Sequence, residues 1–116
     1  MQAIDYDNRI FKSIKNSENG DINELTRFYY HHKGTIIWAE YVGGDVLRGQ
    51  LLALQLNNGK LEVNYHHINT KHEFKTGQCL SEPEILPDGR IRLHENWKWT
   101  SGDHSSGQSI IEEIPG

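Results

Sequence analysis

The stretch from Leu54 to Val63, "LQLNNGKLEV", decides the fold class of this chain. Apolar and polar residues alternate on both sides of an Asn-Gly pair, and Asn-Gly supplies the positive φ angles that a tight β-hairpin needs. Alternation with a period of two is typical of a strand that buries one face. The stretch therefore predicts two antiparallel strands joined by a short turn, and "LPDGRIRL" (residues 86–93) repeats the pattern.

The rest of the chain has the same organisation. Clusters of Asn, Asp, Gly and Ser, which favour turns, separate runs rich in Ile, Val, Thr, Tyr and Trp. Sustained apolar recurrence at helical spacing is scarce, so no long helix is predicted. The predicted strands span residues 9–14, 24–32, 35–42, 46–56, 61–69, 73–80, 90–100 and 109–114, with a ninth short piece near 84–86.

The short connections decide how these strands pair. Parallel neighbours would need crossovers of a dozen or more residues, so an antiparallel meander is expected. A meander of 8 to 10 twisted strands either closes into an up-and-down barrel or forms a two-sheet sandwich, and closure removes the exposed edges. We therefore predict an all-β barrel. The 116 residues are expected to form a single domain, in which Met1 to about Asn8 is a loose N-terminal segment.

The composition argues against several kinds of partner. The net charge is −4 and the 12 Lys and Arg residues are scattered, so no basic stripe is present to bind nucleic acid. No apolar run is long enough to cross a bilayer. The single cysteine, Cys79, cannot form an internal disulfide, and the N-terminus lacks a secretory apolar region. Cytoplasmic residence is expected.

The tryptophan-rich strand carries the strongest hint of a binding site. In "IRLHENWKWT" (residues 91–100), alternation places Glu95, Trp97 and Trp99 on the same inward face. A carboxylate buried there costs several kcal/mol unless it finds a partner. By the same alternation, Tyr65 and His67 of "KLEVNYHHI" (residues 60–68) also point inward.

In two other predicted strands, residues 24–32 and 35–42, large residues occupy both faces. The alternation there does not show which face points inward. Arg27 would be a partner for Glu95 or Glu40, and Trp38 would be a further aromatic wall. The ligand-binding candidates are Trp97, Trp99, Glu95, Tyr65, His67, Arg27 and Trp38, which together mix aromatic and polar groups as small-molecule sites do. Alternatively, the polar residues form a buried hydrogen-bonded network in a filled barrel.

Other chemistry is not indicated. Adjacent histidines in a strand, as at 31–32 and 66–67, face opposite ways and cannot chelate one metal ion, so no metal site is predicted. Cys79 has no neighbouring His or Asp that would activate it, and no phosphate-binding glycine motif is present. We therefore expect no cofactor and name no catalytic residue.

Two stretches carry a family resemblance: "KGTIIWAEYVGGDVLRGQLLAL" (residues 33–54) and "PEILPDGRIRLHENWKWTSGDHSSGQSIIEEI" (residues 83–114). They resemble a family of short bacterial cytosolic proteins of uncharacterised function, some of which are labelled N-acetylglutamate synthase. The resemblance covers Arg9 to Ile114 and implies a calycin-like barrel, similar to lipocalins and fatty-acid-binding proteins. An acetyl-CoA-dependent acyltransferase of the common kind would need helices and a pyrophosphate-binding turn, which this sequence does not predict.

The expected function is therefore binding of a small, partly apolar molecule inside the barrel. One alternative is a protein interaction module with a filled barrel, which would dock a partner through a strand edge or the "SGDHSSGQS" loop (residues 101–109). A second alternative, less favoured, is the enzyme that the family label names. Large residues on both faces of residues 35–42 are also compatible with a homodimer.

Overall fold

The protein is a closed, eight-stranded antiparallel barrel in the computed structural model, which describes residues 4–16 and 21–115. The strands are β1 (Ile10–Asn16), β2 (Arg27–Lys33), β3 (Ile36–Gly43), β4 (Val46–Gln55), β5 (Leu61–Asn69), β6 (Phe74–Ile85), β7 (Ile91–Trp99) and β8 (Ser106–Glu113). Each strand pairs with the next, and β8 returns to pair with β1. The predicted all-β, calycin-like barrel is confirmed, and the sandwich alternative is wrong. None of the described segments forms a helix that is long and apolar enough to span a bilayer.

Several strand boundaries differ from the prediction; for example, β8 begins at Ser106 and not at residue 109. The predicted strand 24–32 begins only at Arg27, because Thr26 is buried in a turn where its hydroxyl donates to the carbonyl oxygen of Gly43 at 3.0 Å. The ninth piece near 84–86 is not separate. It is the end of β6, which pairs with β7 as far as Ile85.

The β4–β5 hairpin has a slightly longer loop than "NNG" predicts. The Gly59 amide donates to the carbonyl oxygen of Leu56 at 3.0 Å, and Gly59 alone in this loop has a positive φ, of 87°. This is a three-residue loop with one left-handed residue, rather than a two-residue turn with positive φ at both Asn and Gly. The β6–β7 hairpin has the same arrangement, with Gly89 in the left-handed position.

The N-terminal segment is packed where a loose segment was expected. Tyr6 is fully buried, and its backbone amide donates to Nδ1 of His32 at 3.0 Å. The amide of Asn8 donates to the carbonyl oxygen of Tyr30 at 3.0 Å. The segment therefore covers the barrel end that carries the β2–β3 turn, because Tyr6 provides a large apolar group to close it. Residues 1–3 lie outside the described part of the chain.

The two halves of the barrel interior differ in chemistry. The half beneath the N-terminal segment is filled with fully buried apolar side chains, namely Phe11, Ile37, Leu61, Leu93 and Ile111. The other half lies next to the β1–β2, β3–β4, β5–β6 and β7–β8 connections and holds aromatic rings together with polar groups. This second half is the candidate functional site.

Candidate functional site

A cavity of about 30 Å³ remains in the second half of the barrel. Five aromatic side chains line it: Phe28, Tyr41, Tyr65, Trp97 and Trp99. Because a water molecule needs roughly 10–15 Å³ of such space, the cavity holds about two waters as it stands. It is therefore a small recess with aromatic walls.

Two glycines make room for the tyrosine rings. Gly49 lies opposite Tyr41 in the β3–β4 register, and Gly77 lies opposite Tyr65 in the β5–β6 register. A Cβ atom on either glycine would come within 2.5 Å of the facing ring. The absence of a side chain at Gly49 and Gly77 thus allows both tyrosines to lie across the inside of the barrel.

The two tryptophans of β7 point inward, as their alternation predicted. Trp97 and Trp99 are 7% and 3% exposed, and their ring centroids are 5.4 Å apart. Tyr65 meets Trp99 edge to face at 5.8 Å. The Nζ atom of Lys75 lies 5.4 Å from the Trp99 ring centroid. The aromatic wall is therefore continuous from β5 to β7.

Glu95 also points inward, as predicted, but its partners are hydroxyl groups. Its carboxylate accepts hydrogen bonds from Ser109 Oγ at 2.9 Å and from Ser81 Oγ at 3.3 Å. Burial raises the pKa of Glu95 from 4.5 to about 7, although these hydroxyls oppose the rise. Within residues 4–16 and 21–115, no Arg or Lys side chain forms a salt bridge with it. Glu95 is therefore a half-buried acid that titrates near neutral pH.

His67, a further inward residue, links Tyr41 to Asp21. The Tyr41 hydroxyl lies 2.9 Å from His67 Nδ1, and His67 Nε2 lies 2.9 Å from Asp21 Oδ2. Burial lowers the pKa of His67, and this effect outweighs the opposing influence of Asp21. The imidazole is thus neutral at pH 7 and carries one N–H.

Two of the predicted site residues lie elsewhere. Trp38 is on the outer face of β3, 39% exposed and beside His31 at 5.5 Å between ring centroids. Arg27 lies at the start of β2 and donates to the carbonyl oxygen of Glu24 at 2.7 Å. Arg27 and Trp38 therefore do not line the cavity, because the inward residues of β2 and β3 belong to the other alternating series. Those inward residues are Phe28 and Tyr30 in β2, and Ile37, Ala39 and Tyr41 in β3.

Several lining residues were not singled out from the sequence. Asp21 and Asn16 come from the β1–β2 connection and from the end of β1, while Ser109 comes from β8. The Asn16 side chain donates through Nδ2 to the carbonyl oxygen of Ile22 at 2.7 Å, and its buried Oδ1 has no partner among the described residues. Gly49 could have indicated that Tyr41 points inward, because it is a small residue opposite Tyr41 at an inward position of the neighbouring strand.

Comparison with known proteins agrees with this geometry. The family model described as "Avidin-like protein" matches residues 4–114. No curated protein and no solved structure matches the chain. The family match spans all eight strands and the whole lining of the cavity. The chain belongs to the avidin-like protein family.

Proposed function

We propose that the protein binds a small molecule in the cavity at the end of the barrel opposite the N-terminal segment. The observation that carries the proposal is the composition of the wall, where five aromatic rings surround a few oriented polar groups. Membership in a family named after avidin, a binder of biotin, supports binding of a small ligand. The sequence candidates Trp97, Trp99, Tyr65, Glu95 and His67 belong to this proposed site.

The size of the cavity limits the ligand. About 30 Å³ admits only a compact chemical group, so a larger ligand must either extend out of the opening or displace part of the wall. Tyr65 is the lining aromatic residue that is only partly buried. We expect Tyr65 to be the ring that moves when a ligand enters.

A second proposal concerns the outer surface. Ile36, Trp38, Leu52 and Leu54 are 39–60% exposed and are cross-strand neighbours on the outer face of β3 and β4, and we call them the outer apolar patch. An exposed cluster of this kind is typical of a protein–protein contact. We propose that a second copy of the chain covers it, which would make the protein a homodimer.

The remaining alternatives have less support. An N-acetylglutamate synthase would require a site for an acyl donor, and the wall of the cavity offers no basic group for a pyrophosphate within the described residues. We therefore rank binding of a small molecule above catalysis.

The proposed cytoplasmic residence is compatible with the state of Cys79, which is a free, buried cysteine.

The experiment is a screen of metabolites and fatty acids that records tryptophan fluorescence and thermal melting on the same samples. A ligand in the cavity contacts Trp97 and Trp99, so it should shift their emission, and it should raise Tm because it binds only the folded state. The Trp38→Phe variant is the control, since it removes an outer tryptophan and should keep the response. If no compound changes either signal, the proposal is wrong and the filled-barrel alternative gains.

A further inference from the structure

The hydrogen-bond direction at Tyr41 is fixed by its neighbours. Asp21 accepts from His67 Nε2–H, so Nδ1 of the neutral imidazole has no hydrogen and must accept. The Tyr41 hydroxyl therefore donates its hydrogen to Nδ1. Its oxygen is left with lone pairs alone, so within the cavity Tyr41 can only accept.

Two more polar groups of the lining are also acceptors. Glu95 holds its carboxylate oxygens beside the hydroxyls of Ser109 and Ser81, which donate to it. The Asn16 amide uses its nitrogen to donate to Ile22, which orients Oδ1 as a buried acceptor without a partner in the described part of the chain. Hydrogen-bond acceptors from β1, β3 and β7 thus line the cavity.

The electrostatic surroundings of Glu95 leave its charge uncompensated. Tyr30 from β2, Tyr41 from β3, Tyr65 from β5 and Cys79 from β6 are close enough to interact with the carboxylate, and burial raises the pKa of each. These groups are neutral at physiological pH. From β8 the facing group is the Ser109 hydroxyl, which is also uncharged.

The aromatic wall also favours a positive ligand. One cation already contacts it, because the Nζ atom of Lys75 lies 5.4 Å from the centroid of the Trp99 ring. Asp21 lines the cavity together with Glu95. Aromatic faces attract cations, and indole does so most strongly.

We propose that the ligand presents a compact guanidinium or amidinium group to this cavity, where it donates N–H bonds to Glu95, Asn16 and Tyr41 against the indole rings. The inference rests on the proposed binding function and names the chemical class of ligand. A planar cation with several N–H donors matches acceptors that converge from three strands, and it can stack on an aromatic face. An anionic group, or one rich in hydrogen-bond acceptors, would instead face the lone pairs of Tyr41 and Asn16 and the carboxylate of Glu95.

The test compares methylguanidinium with N-methylurea, which have the same number and arrangement of heavy atoms but differ in charge and in one donor position. Binding of each is measured by calorimetry and tryptophan fluorescence at about pH 8, where Glu95 is ionised. Methylguanidinium should bind at least about tenfold more tightly, because hydrogen bonds to charged groups are the stronger ones. At about pH 5.5 its affinity should fall by about tenfold as Glu95 gains a proton.

Two matched variants assign the effect. Glu95→Gln keeps an oxygen acceptor but removes the charge. It should therefore reduce the preference for methylguanidinium over N-methylurea to about twofold. Glu62→Gln removes the same charge from the outer face of β5, where Glu62 is exposed, and should keep the full preference.

The outcomes separate this inference from the function on which it rests. If N-methylurea or an uncharged compound of the library binds as well as methylguanidinium, the cavity binds ligands but the cationic class is wrong. The same holds if Glu62→Gln lowers the preference as much as Glu95→Gln. If no compound of either set binds, the proposed function and this inference both fail.

Discussion

Replacement of Glu95 by glutamine is expected to stabilise the protein at alkaline pH and to change its stability little in acid. Burial raises the pKa of Glu95 from 4.5 to about 7, so between these values the folded protein holds a proton that the unfolded chain releases. The contribution of Glu95 to the free energy of unfolding therefore falls as pH rises through this window. At 1.36 kcal/mol per pH unit, the loss reaches about 3 kcal/mol above pH 7. The glutamine variant has no such proton to lose, and its amide oxygen can still accept from Ser109.

The assay is urea unfolding of both proteins at about pH 5 and about pH 8, followed by tryptophan fluorescence. His67 acts in the opposite direction, because its lowered pKa destabilises the fold as pH falls below its ordinary value. Its contribution cancels in the difference between Glu95→Gln and the unchanged protein at each pH. Glu62→Gln, on the exposed outer face, is the control and should give the same small difference at both pH values. An equal difference for Glu95→Gln at both pH values would refute the reasoning.

Three further predictions follow from the packing. Gly77→Ala should destabilise the protein by about 1–3 kcal/mol in urea unfolding, because the new Cβ meets the Tyr65 ring, and an unchanged midpoint would contradict this contact. The Cys79 thiol should react with a thiol reagent only as fast as the barrel opens, since it is 8% exposed and burial raises its pKa; rapid labelling of the folded protein would contradict its placement. Leu52→Lys, in the outer apolar patch, should shift the protein from dimer to monomer in analytical ultracentrifugation, and an unchanged mass would remove that surface from the interface.

Most of the barrel could be predicted from the sequence, because period-two alternation and turn residues are local properties. The hairpin around Gly59 and the alternation of β5 and β7 follow from nearest neighbours alone. Strand ends depend on pairing, which is not local. The sequence predicted that β6 ends at Leu80. In the structure β6 continues to Ile85, paired with β7 alone after Ser81. Pro83 is tolerated in this part because its edge towards β5 is unpaired, so no N–H is needed there.

The candidate site was predictable where one face of a strand is clearly apolar. Trp97, Trp99 and Tyr65 point inward as expected, but in β2 and β3 large residues lie on both faces, so alternation alone could not choose. The register decides there, because Gly49 leaves the interior space that Tyr41 fills. Asp21 enters the site from a connection between strands, and no local pattern specifies its contact with His67.

The most direct test of ligand binding is the nuclear magnetic resonance spectrum of protein labelled with ¹⁵N in its three tryptophans, recorded during titration with the best compound of the screen. The indole N–H signals of Trp97 and Trp99 lie at the cavity, and that of Trp38 lies on the outer face. The account predicts that the first two signals move with saturation while the Trp38 signal stays in place. Movement of the Trp38 signal alone would contradict it and would place the ligand outside the barrel.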